Sequence, residues 1–124
     1  MEPIDINSTH TTPRVSLDKE SGKFRIEGVS RPEDVLAFYT PIFNWFNQYL
    51  ENPNPATTVE FALDYHNSAS AKIICKLMNL LDSFHQNGCK ICVKWYYHEA
   101  DDDILEAGED YKSLVSMPFD IIKI

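Results

Sequence analysis

Thr57-Thr58-Val59-Glu60-Phe61-Ala62-Leu63-Asp64-Tyr65, followed without a break by His66-Asn67-Ser68-Ala69-Ser70-Ala71-Lys72, is the stretch on which the fold turns. Its first half sets Val59, Phe61 and Leu63 against Glu60, Ala62 and Asp64, the two-residue period of a strand with one buried face. Its second half is polar, and beyond it Ile73, Ile74, Leu77, Met78, Leu81 and Phe84 recur at helical spacing, with Lys72, Lys76, Asn79 and Ser83 opposite. Asn87-Gly88 supplies the stop. The next strand is marked by Ile91, Val93, Trp95 and Tyr97.

Toward the N-terminus, Arg14-Val15-Ser16-Leu17 and Lys23-Phe24-Arg25-Ile26-Glu27 alternate around the turn signal Asp18 to Gly22, which predicts a hairpin. Residues 1 to 11 are polar and aperiodic and read as a flexible arm. Ser30 is the N-cap candidate of a helix opening at Pro32-Glu33-Asp34. That helix carries two apolar rows, Leu36, Tyr39, Phe43, Phe46 and Leu50 beside Val35, Phe38, Ile42, Trp45 and Tyr49. The double stripe is wider than one sheet contact needs, so it either packs internally or leaves Phe38, Trp45 and Tyr49 as a docking face. Pro41 should kink or divide the helix. Toward the C-terminus, Asp101 to Val115 is loosely helical with acids crowding its start, and Phe119 to Ile124 is a short strand. The order predicts one α/β domain over residues 1–124, with three main helices and a hairpin leading into a single mixed sheet with right-handed crossovers.

With 124 residues, 44% of them hydrophobic, the chain can bury a core without disulfide or metal support. Three cysteines and no basic-then-apolar leader argue for a reducing, cytoplasmic setting. No run approaches the roughly 18 apolar residues of a membrane span. Nineteen acids against eleven bases give a charge of −8 with no basic patch, which argues against nucleic acid and anionic membranes as partners.

The turn from Asp64 to Lys72 is where chemistry concentrates. A helix N-terminus has unpartnered amides and partial positive charge, so it accepts a capping hydroxyl or a phosphoryl group. Ser68 therefore reads either as a plain cap, shared with Asn67, or as a modification site with Lys72 one turn along as counter-ion. Asp64, His66 and Ser68 are a formal acid, base and nucleophile, and on a regular strand Asp64 and His66 would share a face. No glycine-flanked elbow or oxyanion donor accompanies them, so a serine hydrolase is the remote reading. Cys89 and Cys92 would diverge on a strand and have no second pair, and His85 and His98 lie outside zinc spacings, so the thiols read as buried and inert. The acidic run Glu99 to Asp110 lacks the central glycine of a calcium loop. No metal or cofactor is expected.

An ordered set of residues also resembles the SiaC family of regulatory phosphoproteins. It comprises Thr12-Pro13, Ser30-Arg31-Pro32-Glu33-Asp34, Phe38-Tyr39 before Pro41, Trp45, Tyr65, Asn67-Ser68, Ser70, Lys72, Trp95-Tyr96-Tyr97, Gly108-Glu109-Asp110 and Pro118-Phe119. The resemblance implies a STAS-like fold, similar to the anti-sigma-factor antagonists, and a non-enzymatic switch. A serine/threonine kinase would phosphorylate Ser68, with Ser70 as the fallback, and a PP2C-type phosphatase would reverse it. Asn67, Ser70 and Lys72 would surround the modified hydroxyl. The unmodified form would bind an effector, in the best-known systems a diguanylate cyclase. The main rival is a constitutive, unphosphorylated scaffold.

Overall fold

The computed structural model describes residues 1–124. Six strands, β1 (Ile4–Ile6), β2 (Arg14–Asp18), β3 (Lys23–Ser30), β4 (Thr57–His66), β5 (Ile91–Tyr97) and β6 (Phe119–Lys123), form one sheet in sequence order. β1, β2 and β3 pair antiparallel, and β3 through β6 pair parallel. Three helices, α1 (Val35–Tyr49), α2 (Ser68–Gln86) and α3 (Asp102–Leu114), connect the parallel strands.

Each crossover steps one strand in the same direction, so helices of the usual hand fall on one face. The core records this. Val15, Leu17, Phe24, Ile26, Val59, Phe61, Leu63, Ile91, Val93, Trp95 and Phe119 are buried and belong to one face of the pleat. On the other face Arg25 reaches Glu27 and Glu60, lies over the Tyr96 ring, and Tyr96 donates to Glu60. Water can keep that face solvated, as an alternating strand allows.

Several elements differ from the sequence expectation. Residues 4 to 6 are not a flexible arm: they pair with β2, Ile4 opposite Leu17 and Ile6 opposite Val15. The N-cap of α1 is Asp34, whose carboxylate accepts from the Ala37 amide, whereas Ser30 ends β3 and is buried. Pro41 does not divide α1. Pro41 and Ala37, whose carbonyl loses its partner at the proline, are both exposed, so the unpaired carbonyl is open to solvent and not trapped in the core.

The proposed docking face on α1 is also corrected. Trp45 is 6% and Tyr49 1% exposed, and Phe38 is half-buried. Trp45 stacks on Tyr49 at 5.3 Å, Phe24 of β3 lies 4.9 Å from the Tyr49 ring, and the Trp45 indole donates to the Glu2 carbonyl. The N-terminal strands carry the sheet out beneath α1, which absorbs the width of its stripe. Leu36, in the other row, is left 61% exposed.

At the far side Asp82 of α2 is buried and joins α2 to the α3–β6 connection. Its carboxylate accepts from the amides of Ser116 and Met117, the Ser116 hydroxyl and Gln86. Burial alone would raise its pKa, but these donors outweigh burial and hold it below the usual carboxylate value. The three cysteines are free and half-buried rather than buried, with Cys92 on β5 and Cys89 before it.

Candidate functional site

The parallel strands end where α2 begins, the edge at which open α/β sheets present their binding groups. Here β3 and β4 are out of regular register: Gly28 pairs with Leu63, but Val29 pairs with Tyr65. Asp64 is the extra residue. A bulge re-aims every side chain beyond it, so Asp64 stays on the open face while His66 swings to the helical side. Asp64 consequently lies 3.7 Å from His98, and His66 Nε2 lies 3.1 Å from the Tyr111 hydroxyl. The acid, base and nucleophile of the hydrolase reading are thereby separated, and the expectation of a shared face for Asp64 and His66 is wrong for this reason.

Asn67 is the N-cap of α2. Its backbone is extended, its Oδ1 accepts from the Ser70 amide at 2.9 Å, and its own amide donates to the Ser30 carbonyl at 3.0 Å. Ser68 is the first helical residue and is exposed; Lys72, one turn on, is exposed as well. Ser70 is fully buried. Ser30 Oγ donates to Ser70 Oγ at 2.9 Å, which leaves its oxygen to accept from the Tyr39 hydroxyl at 2.6 Å. Burial pushes the Tyr39 phenol up to about 12, so it stays a donor.

The opposite side of the same turn is held by α3. Tyr111 donates to the Ala71 carbonyl at 3.1 Å, and its oxygen faces His66. The neutral imidazole that carries its proton on Nε2 fits this arrangement. Burial against Trp95 and Tyr111 lowers the His66 pKa, only partly offset by its backbone hydrogen bond and Asp101. Two shallow grooves flank His66. One, of about 280 Å³, is lined by Ala71, Lys72, Cys75, Asp110 and Tyr111; the other, of about 380 Å³, by Asp64, Tyr65, Asp101, Asp103 and Ile104. Tyr65 is 51% exposed beside the turn.

The SiaC family regulatory phosphoprotein pattern matches residues 6–124. The chain belongs to the SiaC family. The family is regulatory, so the chain is not an enzyme. A curated relative, an uncharacterised protein of Pseudomonas aeruginosa strain UCBPP-PA14, is 26% identical over 121 residues, covering 98% of this chain and 96% of its own length. SiaC of Pseudomonas aeruginosa superposes with a TM-score of 0.92 at 25% identity over the whole of both chains. A second structure, of the diguanylate cyclase SiaD in complex with its activator SiaC from the same organism, contains a chain that matches at 0.92 and 25% identity, covering 98% of this chain and 99% of that one.

Within this SiaC-family fold, sequence reasoning placed Asn67, Ser68, Ser70 and Lys72 on one turn, and they are there. It missed Ser30, Tyr39, His66 and Tyr111 as supports of that turn. Tyr39 was legible as a member of an apolar row and of the family resemblance, but its hydroxyl gave no signal. No helix is long and apolar enough to cross a membrane.

Proposed function

We propose that this chain is a cytoplasmic, phosphorylation-gated binding protein in which the unmodified first turn of α2 docks on an effector, a diguanylate cyclase, and Ser68 is the residue a kinase modifies. The observation that supports this reading is the exposure of the Ser68 hydroxyl at the first helical position, beside exposed Tyr65. A phosphoryl group adds about −1.5 to −2 charges at neutral pH. The helix N-terminus tolerates that charge and Lys72 steadies it, so the fold persists while the docking surface becomes costly to desolvate. A PP2C-type phosphatase resets the surface. Ser70, the fallback acceptor, would first have to leave its buried chain with Ser30 and Tyr39.

The effector class follows the complex in which the family relative is the activator of SiaD. The test compares Ser68→Ala with Ser68→Asp. The alanine chain should retain effector binding, while the aspartate chain should lose at least about tenfold in affinity, equivalent to about 1.4 kcal/mol. Equal affinity of the two variants would remove the gate from this position. Intact mass of the chain from its native host, before and after phosphatase treatment, should differ by one phosphoryl group.

A further inference from the structure

Both tyrosine hydroxyls that reach the first turn of α2 come from other helices, and they reach it from opposite sides. From α1, Tyr39 donates to Ser30 at the end of β3, and Ser30 donates to Ser70. From α3, Tyr111 donates to Ala71, with its oxygen facing His66 at the end of β4. A helix needs neither contact for its own ladder: Asn67 already caps Ser70, and the Ala71 amide already donates to the Asn67 carbonyl. Ser30, Tyr39, Ser70 and Tyr111 are all buried, where an unmatched hydroxyl is disfavoured and each bond is therefore held.

We propose that Tyr39 and Tyr111 are positioning residues that brace the α2 first turn from both sides, and that the Tyr39–Ser30 side selects which serine is modified. Residues two apart on a helix point about 200° apart. Fixing Ser70 inward therefore fixes Ser68 outward. A kinase then meets one hydroxyl, and an effector meets a turn that loses little freedom on docking, which favours affinity. The assignment of Ser68 as acceptor rests on the function proposed above; the brace itself does not.

The experiment uses the full chain with Tyr39→Phe and, separately, Tyr111→Phe, substitutions that keep the ring. Amide exchange is read by NMR at Ser70 and Ala71 in the first turn and at Phe61 and Val93 in the core strands. Each variant should speed exchange at the first-turn amides about tenfold and leave the strand amides unchanged. Unchanged first-turn exchange in both variants overturns the brace, and so does an equal rise at Phe61 and Val93, which marks general loss of stability. Ser70→Ala, which cuts the α1 side from its other end, should reproduce the Tyr39→Phe pattern. In chains recovered from the native host, fragment-ion mapping should find phosphate on Ser68 alone in the wild type and on Ser70 as well in Tyr39→Phe. Ser70 unmodified in that variant while Ser68 is modified overturns the selection. Phosphate on neither serine of the wild type overturns the Ser68 reading and with it the selection, while amide exchange still decides the brace.

Discussion

Ser68 and Ser70 occupy the same turn, carry the same hydroxyl and differ only in direction, yet one meets solvent and the other ends a buried chain of three hydroxyls. Side-chain chemistry therefore cannot separate them; the geometry around Ser30 does. His66 is the other residue whose environment decides its state. Burial lowers its pKa in the fold, disfavouring the protonated ring, whereas the unfolded imidazole titrates near its ordinary value of 6.5. As pH falls through that value the unfolded chain takes up a proton that the folded chain declines, so stability falls toward the lowered folded pKa and is fully present above the unfolded one. Urea midpoints between about pH 7.5 and about pH 5.5 should drop more steeply for the wild type than for His66→Gln, which keeps a donor for Tyr111. Parallel slopes would show that His66 titrates alike in both states. The position of Ser68 was legible because a strand-to-helix junction is a local pattern. That of His66 was not, because a single bulged residue, Asp64, reverses its face and nothing in the local sequence marks it.

At the scale of elements, β4, α2 and β5 were read nearly to the residue because their apolar periods are long and end at Asn67 or at Asn87-Gly88. The start of α1 was not, since Ser30 and Asp34 are both competent caps. Tertiary contact chose between them by committing the Ser30 hydroxyl to Tyr39 and Ser70 and its carbonyl to Asn67. For α3 the decisive residue is Gly108. It lies against Trp95, whose indole donates to the Ile104 carbonyl of the same helix, and a Cβ at position 108 would come within 2.6 Å of the indole nitrogen. Gly108 is buried and helical, so the glycine serves proximity and not backbone conformation. Gly108→Ala should force α3 away from β5 and cost about 1–3 kcal/mol, the usual range for overpacking, despite the better helix propensity of alanine. Denaturant unfolding gives the cost; no loss, or a gain from propensity, would mean that Trp95 can give way. Because Tyr111 rides on the same helix, the variant should also speed amide exchange at Ala71.

At the scale of the whole molecule, the sheet is covered on one side only, and the number of strands under α1 depends on where the N-terminal residues go. A charge of −8 and a polar segment with only Ile4 and Ile6 to bury gave no sequence reason to expect a strand there. Pairing with β2 supplies what periodicity could not: backbone hydrogen bonds for residues 4 to 6, an Arg14–Asp5 ion pair, and a carbonyl at Glu2 for the Trp45 indole. The strand is thus part of the wall around the cluster of Phe24, Trp45 and Tyr49, and the edge of the sheet would otherwise be the longer β2. Removing residues 2 to 6 should expose one face of Trp45 and leave its indole without that acceptor. The expected loss is about 2–4 kcal/mol, from two partly buried isoleucines and one hydrogen bond. Tryptophan emission should move to longer wavelength through Trp45, because Trp95 is fully buried beneath α3 and is not reached by the deletion. A flexible arm predicts neither change, so an unaltered urea midpoint with unaltered emission would detach β1 from the fold. Since α2 lies beyond α1 from this edge, the same deletion should leave amide exchange at Ser70 and Ala71 within a small factor of the intact chain, separating the wall around Trp45 from the turn that carries Ser68.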